Sequence, residues 1–237
     1  MMSIELADPP VAGKTPWLKA LVAGSAFLLV SWPLSLVCQA LFPGIAWLPH
    51  TILKVVLLAV SVAATWAGRR SLVEIGFRRP TRKLVWRAIG LGLLLGSITT
   101  LVMLGIGAQG LRPVLENFSF GQIVVTVWLL SSFSEEVFCR GWFQTWVLGS
   151  QHSGARRSEL LVSAILFASM HLTLLFVIDV LSAAIIITMV AVLGWIASWA
   201  RARSGSIYPA IAAHVAFNVG GLIGGIIYAI FTAKPPG

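Results

Sequence analysis

The stretch Ser131-Ser132-Phe133-Ser134-Glu135-Glu136-Val137-Phe138-Cys139-Arg140 sets two carboxylates and a guanidinium inside a run that otherwise reads as a membrane-spanning helix. A charge left at the centre of a bilayer costs roughly 2.5–3.5 kcal/mol on insertion scales, so such groups persist only with partners or beside a water-filled cavity. Few partners are on offer. Beyond Glu116 the acids are Glu135, Glu136, Glu159 and Asp179, and the histidines are His152, His171 and His214.

The surrounding chain is apolar throughout. Its 237 residues are 58% hydrophobic and 11% charged, with a mean hydropathy of +0.92, too apolar for a soluble domain. The composition predicts an all-α, polytopic transmembrane helix bundle forming one integral-membrane domain over residues 1–237. Runs of about 20 apolar residues, broken at charge clusters and at Pro or Gly, give seven spans with an eighth left open. They are Trp17–Phe42, His50–Ala67, Leu84–Gln109, Phe120–Leu148, Leu160–Val177, Val180–Ala200 and Ile207–Phe231. Pro33 is expected to kink the first. Met1 to Pro16 carries Glu5, Asp8 and Pro9-Pro10 where a cleavable leader would carry a basic segment, so the first run is expected to remain as a helix. Cys38 and Cys139 fall in apolar runs and form no CxxC pair.

A net charge of +9 suggests nucleic acid only where a soluble module carries a basic face, and here the basic residues cluster between apolar runs. Nucleic acid is therefore not an expected partner; the lipid bilayer is. Lys14, Lys19, Arg69, Arg70, Arg78, Arg79, Arg82, Lys83, Arg87, Arg156, Arg157, Arg201 and Arg203, thirteen of the seventeen basic residues, share one side if the N-terminus is cytoplasmic. Lys54, Arg112 and Lys234 fall on the other side. Residues 68–87 read as a basic cytoplasmic loop or as an interfacial helix on the anionic leaflet. Gly90, Gly92 and Gly96 in the third span, and Gly220, Gly221, Gly224 and Gly225 in the last, read as close-packing positions.

The intramembrane polar groups converge in depth. At about 1.5 Å per residue from the cytoplasmic helix ends, Glu135 lies roughly 20 Å in, His171 and Asn218 roughly 16 Å, and His214 roughly 10 Å. Glu136 and Arg140 are spaced i,i+4 with the acid N-terminal, the favourable order for an ion pair along one helix. Glu135 points about 100° away, towards His171 or a water. His50 and His152 lie in or near connections and read as surface residues. A carboxylate beside an imidazole can take a proton from water, and a second imidazole with a carboxamide can donate to an oxyanion, which suits peptide hydrolysis. The same Glu135, His171 and His214 could instead hold Zn²⁺ with a water in the open position. Other hydrolase plans fit less well: there is no HExxH and no GxSxG, and Asp179 is the one aspartate in the membrane region. Cys139 reads as apolar packing before it reads as a nucleophile.

At these residues the sequence resembles the CAAX protease and bacteriocin-processing family, the CPBP or Abi-type intramembrane proteases. Three motifs match in order: EExxxR as Glu135 to Arg140, FxxxH as Phe167 to His171, and HxxxN as His214 to Asn218. The lead-in Gly205 to His214 and the segment Ile75-Gly76-Phe77-Arg78-Arg79-Pro80 also resemble the family, so the likeness covers about Glu74 to Gly221, with a catalytic core at about 120–221. The resemblance implies that Glu135 activates water with help from His171, that His214 and Asn218 stabilise the tetrahedral intermediate, and that Glu136 and Arg140 support Glu135. The family has been described both as metal-dependent and as metal-free; asparagine is a poor zinc ligand and only two histidines are at hand, which favours the metal-free description.

The expected function is thus an intramembrane endopeptidase of the cell membrane acting on a peptide or membrane-associated protein. The alternative is a non-catalytic scaffold, or a peptide-binding or immunity protein of the same fold. A proton-coupled transporter, a third reading, would need a polar pathway to the outer face that the outer halves of the spans do not offer.

Overall fold

The computed structural model describes residues 15–42, 44–45, 47–108, 110–147 and 157–232. The readings made for the N-terminal Met1–Lys14 segment, for His152, for the charges of Lys14, Arg156 and Lys234, and for the span ends at Gln109 and Leu148 lie outside these residues.

Within them the fold is helical, with seven helices long and apolar enough to cross a membrane. The protein is a multi-pass membrane bundle. We number the spans α1 (Thr15–Leu41), α2 (Trp47–Ala67), α3 (Arg82–Gly105), α4 (120–147), α5 (Arg157–Ser169), α6 (Val180–Ser204) and α7 (Tyr208–Thr232). Pro33 lies inside α1, which continues past it to Leu41. The third span stops at Gly105, four residues before the expected end, where the left-handed Gly107 (φ 73°) breaks the helix. The fifth span is not one α-helix: α5 ends at Ser169, and Leu172–Phe176 continues as a 3₁₀ turn. Three residues later Asp179 caps α6, accepting from the Ser182 backbone N–H at 2.8 Å. The Ser182 hydroxyl and that backbone bond hold the Asp179 carboxyl below the usual carboxylate range.

α4 begins at a reciprocal cap between Ser119 and Gln122. Wide π-helical stretches, Ile123–Ser131 and Val137–Val147, flank five α-helical residues, Ser132–Glu136. Such widening of a helix recurs at functional sites. The two glutamates sit in the regular part, where adjacent side chains diverge by about 100°.

Glycine fixes how α7 lies on α3. A methyl at Gly92 or Gly96 would overlap the carbonyl oxygens of Ala213 and Phe217, and one at Gly220 or Gly224 would meet those of Leu93 and Ser97. Ser97 Oγ donates to Gly220 O at 3.0 Å across the seam. Small residues let helix backbones approach where lipid supplies no hydrophobic drive. Gly90 and Gly225, from the same two glycine clusters, face open space instead.

Of the two readings of residues 68–87, residues 68–81 form turns and 82–87 are the first residues of α3. The turns are anchored by polar bonds. Ser71 N–H donates to Glu74 Oε2 at 2.7 Å, which with Arg70 holds the Glu74 carboxyl below its ordinary range. Gly76, at φ 105°, leaves no room for a side chain against Ile207 and Arg201, and its carbonyl accepts from Ile207 N–H at 3.0 Å. Arg201, assigned to a cytoplasmic connection by its charge, is instead buried in the last turn of α6. It donates to Glu74 O (3.2 Å), Arg140 O (3.3 Å) and Thr145 Oγ1 (2.9 Å), acceptors that replace water for the guanidinium.

Because the Gly96 position has a carbonyl where its Cβ would go, Gly96→Ala is expected to cost about 1–3 kcal/mol by overpacking. Gly225→Ala should leave the melting temperature unchanged or raise it, through the higher helix propensity of alanine. Thermal unfolding of both variants in one detergent checks the pair.

Candidate active site

Glu135 and Glu136 are both buried, at 2% and 0% exposure. Each is neutralised from a different direction. Arg140, one turn on along α4, donates from Nη1 to Glu136 Oε1 at 3.1 Å and from Nη2 to Gly194 O of α6 at 2.8 Å. Its guanidinium also lies over the Phe167 ring, 4.4 Å from the centroid. Gly194 admits it, since a Cβ there would stand 3.2 Å from Nη2.

The partner of Glu135 comes from a residue the charge distribution assigned to the outer side. Lys54 of α2 is 8% exposed, and its ammonium bonds Glu135 Oε1. Ser131 Oγ donates to the same oxygen at 2.7 Å. Counting lysines by side of the membrane hides this pairing; asking which cation within a span is free to meet Glu135 would have found it, because buried carboxylates need one.

His214 joins the two acids. Its Nδ1 is 3.0 Å from Glu136 Oε1, and a carboxylate can only accept, so Nδ1 carries the hydrogen. Nε2 then faces Glu135 Oε2 at 3.9 Å, beyond direct hydrogen-bond reach and suited to a bridging water. His171 sits in the turn after α5, not within a helix. Its Nδ1 donates to Phe167 O at 2.9 Å, leaving Nε2 free. The Phe167 ring stands edge-on to both imidazoles, at 5.1 Å from His171 and 5.3 Å from His214. Asn218 is turned towards α4, its amide nitrogen 3.2 Å from Ser132 Oγ.

The structure therefore puts Glu135, Glu136, Arg140 and His214 in one bonded cluster, His171 at its margin and Asn218 on the Ser132 side. Lys54, Ser131, Ser132 and Phe167 are additions that the sequence reading did not name. His50 is half-buried, not at the surface, its ring 6.4 Å from that of Phe118. Cys139 is fully buried, with Sγ 3.6 Å from Met170 Sδ, inside the apolar core.

Among the described residues no three His, Cys, Asp or Glu side chains are gathered so as to hold a metal ion. Glu135 Oε1 already carries an ammonium, whose charge opposes a dication at that oxygen.

Residues 117–220 match the family model described as type II CAAX prenyl endopeptidase Rce1-like. This segment is similar to the CAAX protease family. The match takes in Glu135, Glu136, Arg140, His171, His214 and Asn218, and leaves Lys54 and the Gly76 turn outside it. No curated protein and no solved structure matches the chain. The family is one of proteases, and its members' peptide or protein substrates set the frame for the site.

Removing Arg140 leaves Glu136 buried without its cation. Arg140→Met is expected to cost about 3–5 kcal/mol, and the double variant with Glu136→Gln to recover much of that. Thermal unfolding of the three variants measures it; equal loss in single and double variants would show that the pair is not what matters.

Proposed function

We propose that the protein is an intramembrane endopeptidase of the cell membrane, N-terminus cytoplasmic, that hydrolyses a peptide bond of a membrane-associated peptide or protein. The observation that carries this reading is Glu135 Oε2: buried, without a hydrogen-bond partner among the described residues, and facing His214 Nε2 across 3.9 Å. An ionised carboxylate oxygen in that position lacks an acceptor's due, and a water donating to it is activated as a nucleophile.

In the proposed reaction Glu135 Oε2 takes a proton from water while the water oxygen attacks the scissile carbonyl carbon. His171 Nε2 accepts from the water, and Asn218 donates to the oxyanion, joined by His214 as a second donor once its Nε2 carries a proton. Breakage of the C–N bond then releases the amine, which receives the proton from Glu135. Glu136 and Arg140 keep Nδ1 of His214 and the α4 backbone in place. The reading is metal-free, supported by the ammonium already bonded to Glu135 Oε1.

For the substrate, the family description names prenyl CAAX chains. An apolar cavity of about 230 Å³ between α1, α2 and α4, lined by Phe27, Val30, Leu57, Phe138 and Trp142, supports a substrate bearing a hydrocarbon anchor. Phe138 is three residues from Glu135, so such an anchor would lie beside the proposed base.

The test is hydrolysis of a farnesylated CAAX peptide by the protein in nanodiscs. Glu135→Gln should lower kcat about 100- to 10,000-fold with KM nearly unchanged; wild-type turnover in this variant would sink the reading. Chelators should leave kcat unchanged. Loss of turnover on chelation and its return with added zinc would overturn the metal-free mechanism while leaving the protease.

A further inference from the structure

Lys54 lies outside residues 117–220 and outside every motif of the sequence. It is a buried cation in the first half of an apolar span, a costly placement that needs a reason. Stability is a poor one, since buried ion pairs contribute little over apolar side chains of similar volume.

The geometry offers another. Lys54 Nζ and Ser131 Oγ both donate to Glu135 Oε1, while Oε2 accepts nothing among the described residues and faces His214. The last torsion of a glutamate is broad and roughly two-fold, so an unclamped carboxylate presents either oxygen to the site. The other charged or titratable groups around Glu135 are otherwise engaged. Arg140 of α4 is bonded to Glu136 and Gly194 O, His214 of α7 gives Nδ1 to Glu136, and His171 after α5 gives Nδ1 to Phe167 O. His50, one turn before Lys54 on α2, has no hydrogen bond from Nε2. Lys54 is the one cation among the described residues bonded to Glu135.

We propose that Lys54 is a positioning residue for peptide hydrolysis: with Ser131 it clamps Oε1 of Glu135, so that Oε2 is the atom that receives the proton of the attacking water. Lys54 touches neither water nor substrate and acts through Glu135. The inference rests on Glu135 as the base.

The experiment compares wild type, Lys54→Met, Lys54→Arg, Glu135→Gln and the double variant Lys54→Met/Glu135→Gln in nanodiscs, on the farnesylated CAAX peptide. Lys54→Met should lower kcat about 100-fold, the scale of a misplaced catalytic group, with KM little changed, and Lys54→Arg, which keeps a cation on the carboxylate, should recover part of the loss. Thermal unfolding of the same set separates folding from function. The single Lys54→Met variant should melt lower than the double variant, in which no carboxylate is left unpaired. Wild-type kcat in Lys54→Met beside an inactive Glu135→Gln overturns the inference and leaves the protease. A fall in KM-normalised activity that Lys54→Arg does not lessen, or strictly additive melting shifts, also overturns it. Turnover that survives Glu135→Gln removes the proposed base, and this inference with it.

Discussion

Two adjacent carboxylates on one buried helix leave it about 100° apart, and here each takes its own cation. Glu136 finds Arg140 on its own helix, four residues on, at 3.1 Å. Glu135 faces away and must be met from another helix, which is what Lys54 on α2 does. This requirement fixes α2 against α4. Breaking either pair would strand a charge in an apolar interior, a penalty larger than most packing defects. His214 then ties α7 to the same point by bonding Glu136, and α7 can come that close because the glycines at 92, 96, 220 and 224 let its backbone rest on α3.

A second buried guanidinium carries the constraint to the end of the bundle. Arg201 bonds the Arg140 carbonyl on one side and the Glu74 carbonyl on the other, so the turn at residues 74–78 is linked through it to the helix that holds both glutamates. Gly76 is required there by its left-handed backbone and by the absence of space for a Cβ. Phe77, next in the chain, packs near Phe133 and Tyr208, at centroid separations of 6.2 and 6.1 Å. Three segments far apart in sequence, 74–78, 133–140 and 201–208, thus form one polar-and-aromatic floor beneath the cluster.

The seven spans were legible because hydrocarbon thickness dictates helix length, and the observed ends fall within a few residues of those read from hydropathy. The Glu136–Arg140 pair was legible because its i,i+4 spacing needs no tertiary information. Other features were not. The π-helical stretches of α4 obey no 3.6-residue period, so helical-phase arithmetic does not extend along them, although it holds within Ser132–Glu136 and as far as Arg140. His171 was placed at mid-helix by counting residues, but the chain leaves the α-helix at Ser169. Lys54 was hidden by the positive-inside rule itself, which treats a lysine near a span end as a loop charge and does not ask what it faces. Arg201 was hidden for the same reason.

The charge balance has a chemical consequence. Lys54 and Arg140 offset Glu135 and Glu136 one for one, so neither imidazole is needed as a counter-ion in the resting cluster. Glu136 and the Phe167 carbonyl accept the Nδ1 hydrogens of His214 and His171, which selects the same tautomer for both rings and directs each Nε2 away from its anchor. A pair of imidazoles so oriented, beside a carboxylate with one oxygen clamped and one open, can relay a proton without creating a net charge in the membrane interior. That is the condition a hydrolytic site within a bilayer must satisfy, since an uncompensated charge formed during the reaction would cost more there than in water.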